Sequence, residues 1–359
     1  MHRVGTFLKK IGQILFFILL VLVLVAGAFF VWLRVEPEAV TECEVGTWLF
    51  EHELGTTCVP DNPSNVLAYG TVPSQFFVAI ERPMAMTTLV LDDFTAADIP
   101  GLYERLREVN EGTLDLGVVE NAFSANLELL LDIQPDLIIS QWAASDDIIK
   151  TTSLIAPVVF VSDLSDWKEV TLQSGEAIGE REEAEALIQG YEDRVEILRA
   201  QFDDPSEITV ANIRLLSNAI SVQLPPSFSG QIISEVGFSF PESQVAFTKE
   251  TPDRIQINID EERMDLFDAD YLFIYPGGTD YALSRSDGET HTLVDDFLND
   301  PLFPFLSVAE SGQVYEADMH WAVLGIYSAH YLLDDLFRYV AGVDPEAVAP
   351  NPLLLDVSE

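Results

Sequence analysis

The sequence predicts an α/β fold with two Rossmann-like lobes, each built on a parallel sheet, that are joined by one long α-helix and preceded by a single N-terminal transmembrane helix. Short apolar runs alternate with helical patterns, as in parallel sheets covered on both faces. A helical stretch of 23 residues divides these alternations, and an uncharged segment of 23 residues lies near the N-terminus. The predicted boundaries are 1–34 for the transmembrane segment, 35–164 for the N-terminal lobe, 165–204 for the helical connector and 205–359 for the C-terminal lobe.

The N-terminal segment Ile11–Leu33 is uncharged and long enough to cross the ~30 Å hydrocarbon core of a bilayer. Basic residues precede it and acidic residues follow it, so the N-terminus is expected in the cytoplasm and the rest of the chain outside. The alternative is a cleaved signal peptide, because Ala26-Gly27-Ala28 has the small-x-small pattern of a cleavage site. Both interpretations export the body, to the periplasm or the cell surface; the first leaves a single-pass membrane protein.

The exported part is strongly acidic. Lys and Arg number 18 and Asp and Glu number 60 in the whole chain, and residues 35–359 hold 14 of the basic and all 60 of the acidic residues. Such a surface repels nucleic-acid phosphates and anionic lipid, so no nucleic-acid partner is expected. The N-terminal helix is the predicted contact with the membrane, and we expect a monomer.

The chain has two cysteines, Cys43 and Cys58, which are 15 positions apart. In an oxidising compartment this pair is expected to form a disulfide, which would stabilise the fold by roughly 3 kcal/mol on the loop-entropy estimate. Two free thiols are the alternative. Two cysteines are too few for a disulfide scaffold or a cysteine-built metal cluster.

In the N-terminal lobe, short apolar runs bounded by turn-forming residues predict strands, and apolar residues at helical spacing predict helices. The strands are Asn65–Tyr69, Thr88–Leu91, Asp136–Ser140 and Pro157–Val161, and the helices are Ile99–Asn110 and Asn126–Asp132.

Two helices form the predicted connector, Asp166–Ile178 and Glu180–Phe202. The second has apolar residues every three or four positions and stops at Asp203-Asp204-Pro205. The same patterns then predict the strands and helices of the C-terminal lobe. The strands are Glu207–Leu216, Ala219–Leu224, Tyr271–Tyr275 and Val314-Tyr315, and the helices are Ser229–Val236 and His330–Val340.

Short motifs recur in a fixed order along the exported part. They are HELGTT at 52–57, NLE at 126–128, QPDLII at 134–139, APVV at 156–159, GQIISEVGF at 230–238 and GQVY at 312–315, followed by Trp321. Together they resemble the iron-siderophore (ferrichrome/cobalamin-type, class III) periplasmic substrate-binding proteins of ABC importers. The resemblance implies two lobes with a ligand in the cleft between them, and an ABC importer permease as partner.

Ligands in open parallel sheets lie beyond the carboxyl ends of the strands, where this sequence gathers aromatic and small polar residues. The predicted ligand-binding residues are Tyr69, Trp142, Arg214, Tyr275 and Trp321. For the aromatic residues, the alternative is ordinary packing of loop side chains on helix ends. The resemblance implies a ferric siderophore as ligand. Because such a chelate supplies the iron ligands itself, no intrinsic cofactor or protein metal site is expected.

The charge balance favours a neutral or cationic hydroxamate chelate over an anionic catecholate at long range. Arg214 lies where the family often has an arginine in the cleft, and a guanidinium can bind carboxylate or hydroxamate oxygens with two donors. A solvent-facing ion pair is the alternative for Arg214. Arg82 and Arg285 are weaker candidates.

The resemblance also implies docking on the permease through one glutamate of each lobe. Glu128 stands in the NLE motif, whereas Glu235 is one position beyond the place expected for the second glutamate, which Ser234 occupies. In so acidic a chain, both are equally interpretable as solvated carboxylates.

Other functions remain open at this point. Cobalamin, haem or another large ligand would use the same fold, and a membrane-tethered sensor could reuse it without transport. Direct metal binding is disfavoured because the histidines are scattered. An exported hydrolase is disfavoured because the sequence contains no G-x-S-x-G, H-E-x-x-H or phosphate-loop motif, so the protein is not expected to be an enzyme.

Overall fold

The structure is a computed structural model that describes residues 42–52, 54–87, 90–91, 94–95, 99, 101–110, 127–141, 150–161, 166–216, 219–259, 261–277 and 290–354. Contacts divide the chain into two units, Met1–Cys43 and Glu44–Glu359. The predicted transmembrane helix, residues 1–34, lies outside the described residues. Within the described ranges, no helix is long and apolar enough to cross a membrane.

An antiparallel hairpin opens the second unit, with β1 at Thr47–His52 and β2 at Gly55–Pro60. Cys58 lies in β2. Both cysteines are disulfide-bonded, which confirms the predicted pair Cys43–Cys58. The Thr57 hydroxyl donates a hydrogen bond of 2.9 Å to the carbonyl of Val158, so the hairpin is fastened to the neighbouring sheet.

The first sheet is entirely parallel, in the order β4–β3–β7–β8. Its strands are β3 Val66–Tyr69, β4 Met86–Thr87, β7 Leu137–Ser140 and β8 Val158–Phe160. The accompanying helices are α1 Thr71–Ala79, α2 Leu102–Val109 and α3 Leu127–Ile133. A small antiparallel pair, β5 Val90–Leu91 and β6 Phe94–Thr95, lies apart from this sheet. Of the predicted strand Thr88–Leu91, residues 90–91 form β5, and residues 88–89 lie outside the described residues.

Two helices follow, α4 at Trp167–Ala177 and α5 at Arg181–Arg199. The Asp166 side chain caps α4 by accepting a hydrogen bond from the backbone N–H of Glu169 at 3.0 Å. Helix α5 has 19 residues, so it is shorter than the predicted 180–202. Its buried face includes Arg194, whereas Leu187, which the periodicity predicts on that face, is only half-buried.

The second sheet has the order β11–β10–β9–β12–β13. Its strands are β9 Val210–Leu216, β10 Ala219–Gln223, β11 Gln256–Ile259, β12 Tyr271–Pro276 and β13 Val314–Glu316. Strands β9, β12 and β13 are parallel, but β10 and β11 are antiparallel to their neighbours. The prediction of a parallel sheet is therefore wrong for the pairings that β10 makes with β9 and β11. The connection from Leu216 to Ala219 is too short for a crossover and permits only a hairpin.

The chain between and after the strands of the second sheet forms helices. They are α6 Phe228–Val236, α7 Glu242–Glu250, α8 Thr290–Leu298, α9 Ser307–Ser311, α10 Ile326–Asp335 and α11 Pro345–Val348. Short 3₁₀ turns lie at Pro205–Glu207, Glu261–Leu266, Phe303–Phe305 and Met319–Trp321. Helix α10 begins before the predicted His330 and continues as a π-helical turn, Leu336–Val340.

One large apolar core contacts both sheets and the helices packed on them. It includes Val66 of β3, Tyr191 of α5, Phe273 of β12 and Leu333 of α10. Smaller clusters cover the opposite faces of the two sheets. This arrangement agrees with the predicted α/β class, whereas the predicted lobe boundaries stay a prediction.

Candidate functional site

Strands β3 and β7 end side by side. Their last residues, Tyr69 and Ser140, are register partners. The chain leaves β3 through Gly70 into α1, and Gln141 follows β7. The backbone N–H of Gln141 donates to the carbonyl of Tyr69 at 2.7 Å, so the two turns are in contact. This is the edge of an open parallel sheet at which ligands bind.

The side chain of Gln141 caps α1 from this neighbouring turn. It is fully buried, and its Oε1 accepts a hydrogen bond of 3.0 Å from the backbone N–H of Val72. Helix α1 receives no side-chain cap from its own N-cap residue, Gly70, so Gln141 satisfies one of its orphan donors. The other amide atom, Nε2, is buried without a hydrogen-bond partner among the described residues.

Gly70 is required for this contact. Its φ of 134° lies in a region that favours glycine, and a Cβ at this position would lie 2.7 Å from Gln141 Oε1. The absence of a side chain therefore lets the α1 turn and Gln141 approach each other closely.

Tyr69 is half-buried beside this turn and packs against the apolar cluster of Leu67, Leu130 and Ile138. Desolvation raises the pKa of the Tyr69 phenol to about 12. The phenol therefore keeps its proton at neutral pH and can act as a hydrogen-bond donor.

In the second sheet, Arg214 of β9 and Tyr275 of β12 are register partners near the carboxyl ends of their strands. Tyr275 is buried, with 1% of its surface exposed, while Arg214 is half-buried. A Cβ at Gly277 would lie 2.7 Å from Cγ and Cδ of Arg214, so the arginine stem runs across this glycine. Burial raises the pKa of Tyr275, and the positive charge of Arg214 acts in the opposite direction.

Asn212 lies two positions before Arg214 on the same face of β9. It is fully buried, and its Nδ2 donates to the hydroxyl of Ser229 in α6 at 3.1 Å. The sheet therefore presents polar groups toward the start of α6, where Ser227 caps the helix.

Trp321 lies in the core rather than at an open surface. It is 1% exposed and stacks on Phe273 with 4.2 Å between the ring centroids. Its Nε1 donates to Asp335 Oδ2 at 2.9 Å, and His320 contacts the same oxygen at 2.7 Å. In this conformation the indole has almost no surface to offer a ligand, so its predicted ligand contact stays a prediction.

The remaining predicted binding residues are placed as follows. Trp142 and Arg285 lie outside the described residues. Arg82 forms an ion pair of 3.2 Å with Glu180, which connects the loop after α1 to the start of α5. Arg82 also donates to the carbonyl of Pro63, before β3, at 2.6 Å. These contacts give Arg82 a structural role.

The two predicted docking glutamates differ in environment. Glu128 is exposed in the first turn of α3. Glu235 of α6 is partly buried, and its two oxygens contact Lys168 at 3.0 Å and the hydroxyl of Tyr191 at 2.7 Å. The neighbouring Ser234 is exposed. Glu235 therefore has a structural function.

Two surface cavities are present near α5. One of about 390 Å³ is lined by Glu235, Lys168 and acidic residues of α5. The other, of about 380 Å³, lies between the end of α1, α5 and His330. In the part of the chain that is described, no group of three or more His, Cys, Asp or Glu side chains could hold a metal ion.

Sequence reasoning singled out the strand ends but missed the role of Gln141. The available signal was a glutamine directly after one buried strand and a glycine directly after its neighbour. A polar side chain that follows one parallel strand can cap the helix that starts after the neighbouring strand of the sheet. The prediction rested instead on the aromatic residues beside it, Tyr69 and Trp142.

Comparison with known proteins identifies relatives with similar sequences. The chain is 26% identical over 340 residues to the probable siderophore-binding lipoprotein YfiY of Bacillus subtilis, covering 92% of this chain and 98% of that protein. It is also 26% identical to the achromobactin-binding periplasmic protein of Dickeya dadantii, covering 67% of this chain and 76% of that protein.

Solved structures with the same fold include Staphylococcus aureus SirA in complex with staphyloferrin B. The TM-score is 0.68 at 19% sequence identity, and the match covers 82% of this chain and 98% of SirA. The sequence also matches the family described as periplasmic binding protein over residues 90–320, which is more than half of the chain. The chain therefore belongs to the periplasmic binding protein family.

Proposed function

We propose that the chain is an extracytoplasmic substrate-binding protein that captures a ferric siderophore between its two sheets and delivers it, chemically unchanged, to an ABC importer. The relatives named for siderophore binding support this function. The observation that carries it is the pairing of an aromatic residue with a side-chain donor at the carboxyl ends of strands in both sheets. These pairs are Tyr69 with Gln141, and Tyr275 with Arg214.

The ligand would contact Tyr69, Arg214, Tyr275, Trp142 and Trp321. Tyr69 and Arg214 are half-buried and have surface available. Tyr275 and Trp321 are each 1% exposed, so their contact requires movement of the residues that cover them. For Trp321, the 3₁₀ turn Met319–Trp321 is the segment that would move.

The chelate would be neutral or cationic, such as a ferric hydroxamate, because residues 35–359 carry 60 acidic and 14 basic side chains. Salt screens this repulsion beyond ~8–10 Å, so contacts within the site decide the affinity for each chelate. Among the relatives, one is named as an Fe(3+)-citrate-binding protein, which makes ferric citrate the second chelate to test.

The uncharged segment before residue 35 would anchor the protein in the membrane, with the body outside the cytoplasm as a monomer. Glu128 is exposed and available for docking on the permease. Glu235 would dock only through the third of its side chain that stays exposed, because Lys168 and Tyr191 hold its carboxylate.

Calorimetric titration of the purified full-length chain tests the function. The ligands are a ferric trihydroxamate, ferric citrate, cobalamin and haem, with the iron-free chelators as controls. The proposal predicts saturable binding of a ferric chelate and much weaker binding of the same chelator without iron. Binding of cobalamin or haem alone would assign a different ligand, and binding of none would remove the function. Mass spectrometry of compounds that co-purify would identify the natural ligand.

A further inference from the structure

Gln141 holds an unused hydrogen-bond donor where β3 and β7 end. The backbone N–H of Val72 donates to Gln141 Oε1 at 3.0 Å. This bond fixes the orientation of the amide, because only the oxygen of a glutamine amide can accept. Nε2 therefore carries two N–H groups, and it is buried without a partner in the part of the chain that the structure describes. Buried donors in folded proteins nearly always have a partner.

The N-terminus of α1 lies at the same place. The helix begins at Thr71, directly after Gly70, and has nine residues. First-turn N–H groups have no partner within a helix, and together with the helix dipole they favour an oxygen that carries negative charge. Pro73, the third residue of the helix, has no N–H, which leaves Thr71 and Val72 as the leading donors, and Gln141 already accepts from Val72.

Gly70 allows Gln141 to lie directly against the α1 turn. A side chain at position 70 would overlap Gln141, since its Cβ would lie 2.7 Å from Oε1. The fold therefore combines a glycine, a helix N-terminus and an oriented amide beside Tyr69. The helix N-terminus and the amide donor each favour an acceptor oxygen at this edge of the sheet.

We infer that Gln141 determines specificity in the proposed siderophore site. Its side chain is fully buried, so the residues that cover it move aside before Nε2 donates to a chelate oxygen with full or partial negative charge. Carboxylate and hydroxamate oxygens both have this chemistry. A ligand that presents an N–H or O–H group at this point would leave donors facing each other, and the site would discriminate against it. This inference rests on the proposed function.

Two substitutions of Gln141 test the Nε2 donor and the Oε1 atom that caps α1. Gln141→Glu keeps an oxygen for the Val72 N–H and replaces the donor by a second oxygen, and a negative charge near a helix N-terminus is tolerated. Gln141→Met has a similar length but removes both groups. Gln201→Glu, at an exposed position after α5, adds the same charge elsewhere and serves as control.

Affinity is measured for whichever of ferric trihydroxamate and ferric citrate the wild-type protein binds. We expect Gln141→Glu and Gln141→Met to bind about tenfold more weakly or worse, and Gln201→Glu to bind as the wild type does. Thermal unfolding verifies that each variant is folded. In the ¹⁵N-labelled wild-type protein, the side-chain amide resonances of Gln141 should shift when the chelate saturates the site.

Wild-type affinity in a folded Gln141 variant would overturn the inference and leave the proposed function intact. Unshifted Gln141 amide resonances at saturation would do the same, even if both variants failed to fold. A wild-type protein that binds neither chelate would remove the proposed function, and this inference with it.

Discussion

Arg194 donates a hydrogen bond of 2.9 Å to Nδ1 of His330, and both side chains are buried. A guanidinium can only donate, so Nδ1 accepts and the ring carries its proton on Nε2. Arg194 also donates to the carbonyls of His330 and Ala349 and pairs with Asp334, which in turn accepts from Asn351 at 2.9 Å. This buried network fastens α5 to α10 and to the C-terminal part of the chain.

The pH dependence of stability should reveal His330. Burial, and secondly the charge of Arg194, lower the pKa of His330 to about 3, from 6.5 in an unfolded chain. Below pH 6.5 the unfolded state therefore binds a proton that the folded state does not. His330 therefore makes its full contribution to the free energy of unfolding above pH 6.5. This contribution is lost as the pH falls toward 3, and the loss amounts to roughly 3 kcal/mol at pH 4.

The measurement is urea unfolding of the wild type and of His330→Asn at pH 7.5, 6, 5 and 4. Titration of the acidic side chains, including the buried Asp334, is common to both proteins, so the difference between the two curves isolates His330. The free energy of unfolding of the wild type should exceed that of His330→Asn by less and less as the pH falls. A difference that is constant with pH would contradict the assignment of a buried neutral imidazole.

Removal of Arg194 should be among the most damaging single changes in the described part of the chain. Arg194→Met leaves the Asp334 carboxylate buried without its cation, and we expect a loss of about 3–5 kcal/mol in the free energy of unfolding. Arg181→Met is the matched control, because Arg181 lies on the same helix in exposed ion pairs with Glu176 and Glu185. It should cost less than ~1 kcal/mol. Similar losses in the two variants would show that the buried network is not a major source of stability.

Gly70 and Gly190 should respond in opposite directions to alanine. Gly70→Ala forces a Cβ against Gln141 at a φ of 134°, and we expect a loss of at least ~2 kcal/mol. Gly190 lies within α5, and a Cβ at this position would meet no described atom within 4 Å, so Gly190→Ala should stabilise by ~0.5–1 kcal/mol. Chemical unfolding measures both. A neutral Gly70→Ala would mean that the α1 turn and Gln141 can move apart.

The disulfide should stabilise the body of the protein. The double variant Cys43→Ser/Cys58→Ser should lose about 2–4 kcal/mol in the free energy of unfolding relative to the oxidised wild type. Reductant should lower the wild type to the same value and leave the variant unchanged. Thiol titration of the unfolded, unreduced wild type should detect no free thiol, and two thiols per chain would contradict the bond.

The two glutamates that are predicted to dock on the permease should behave differently in a stability assay and a transport assay. Glu235→Gln weakens the contacts with Lys168 and Tyr191 and should reduce stability by about 1 kcal/mol. Glu128→Gln should leave stability and chelate affinity unchanged while slowing ligand-dependent ATP hydrolysis by the reconstituted importer. Unchanged ATP hydrolysis with Glu128→Gln would remove this residue from the docking surface.

The strands that the sequence predicted best are the short apolar runs. Strands β3, β7 and β12 are buried along nearly their whole length, and burial on both faces leaves this signature in composition alone. Helix α1 was missed because its sequence, TVPSQFFVA, is buried over most of its surface and therefore lacks a polar stripe. Strand β11 was missed because it is largely exposed at the edge of its sheet.

Within the site, the sequence predicted which residues lie at strand ends but not how their side chains point. The register that pairs Arg214 with Tyr275 depends on which strands are neighbours. The burial of Trp321 depends on Asp335, 14 positions further on in α10, which accepts its N–H. Such tertiary partners leave no local pattern in the sequence.

Binding of an iron chelate by the intact protein is the decisive measurement of its function. The full-length chain is titrated calorimetrically with a ferric trihydroxamate and with ferric citrate, and then with each chelator free of iron. We expect saturation near one chelate per chain for at least one ferric complex, with much weaker binding of its iron-free form. An absence of heat and of saturation with every ferric chelate would contradict it.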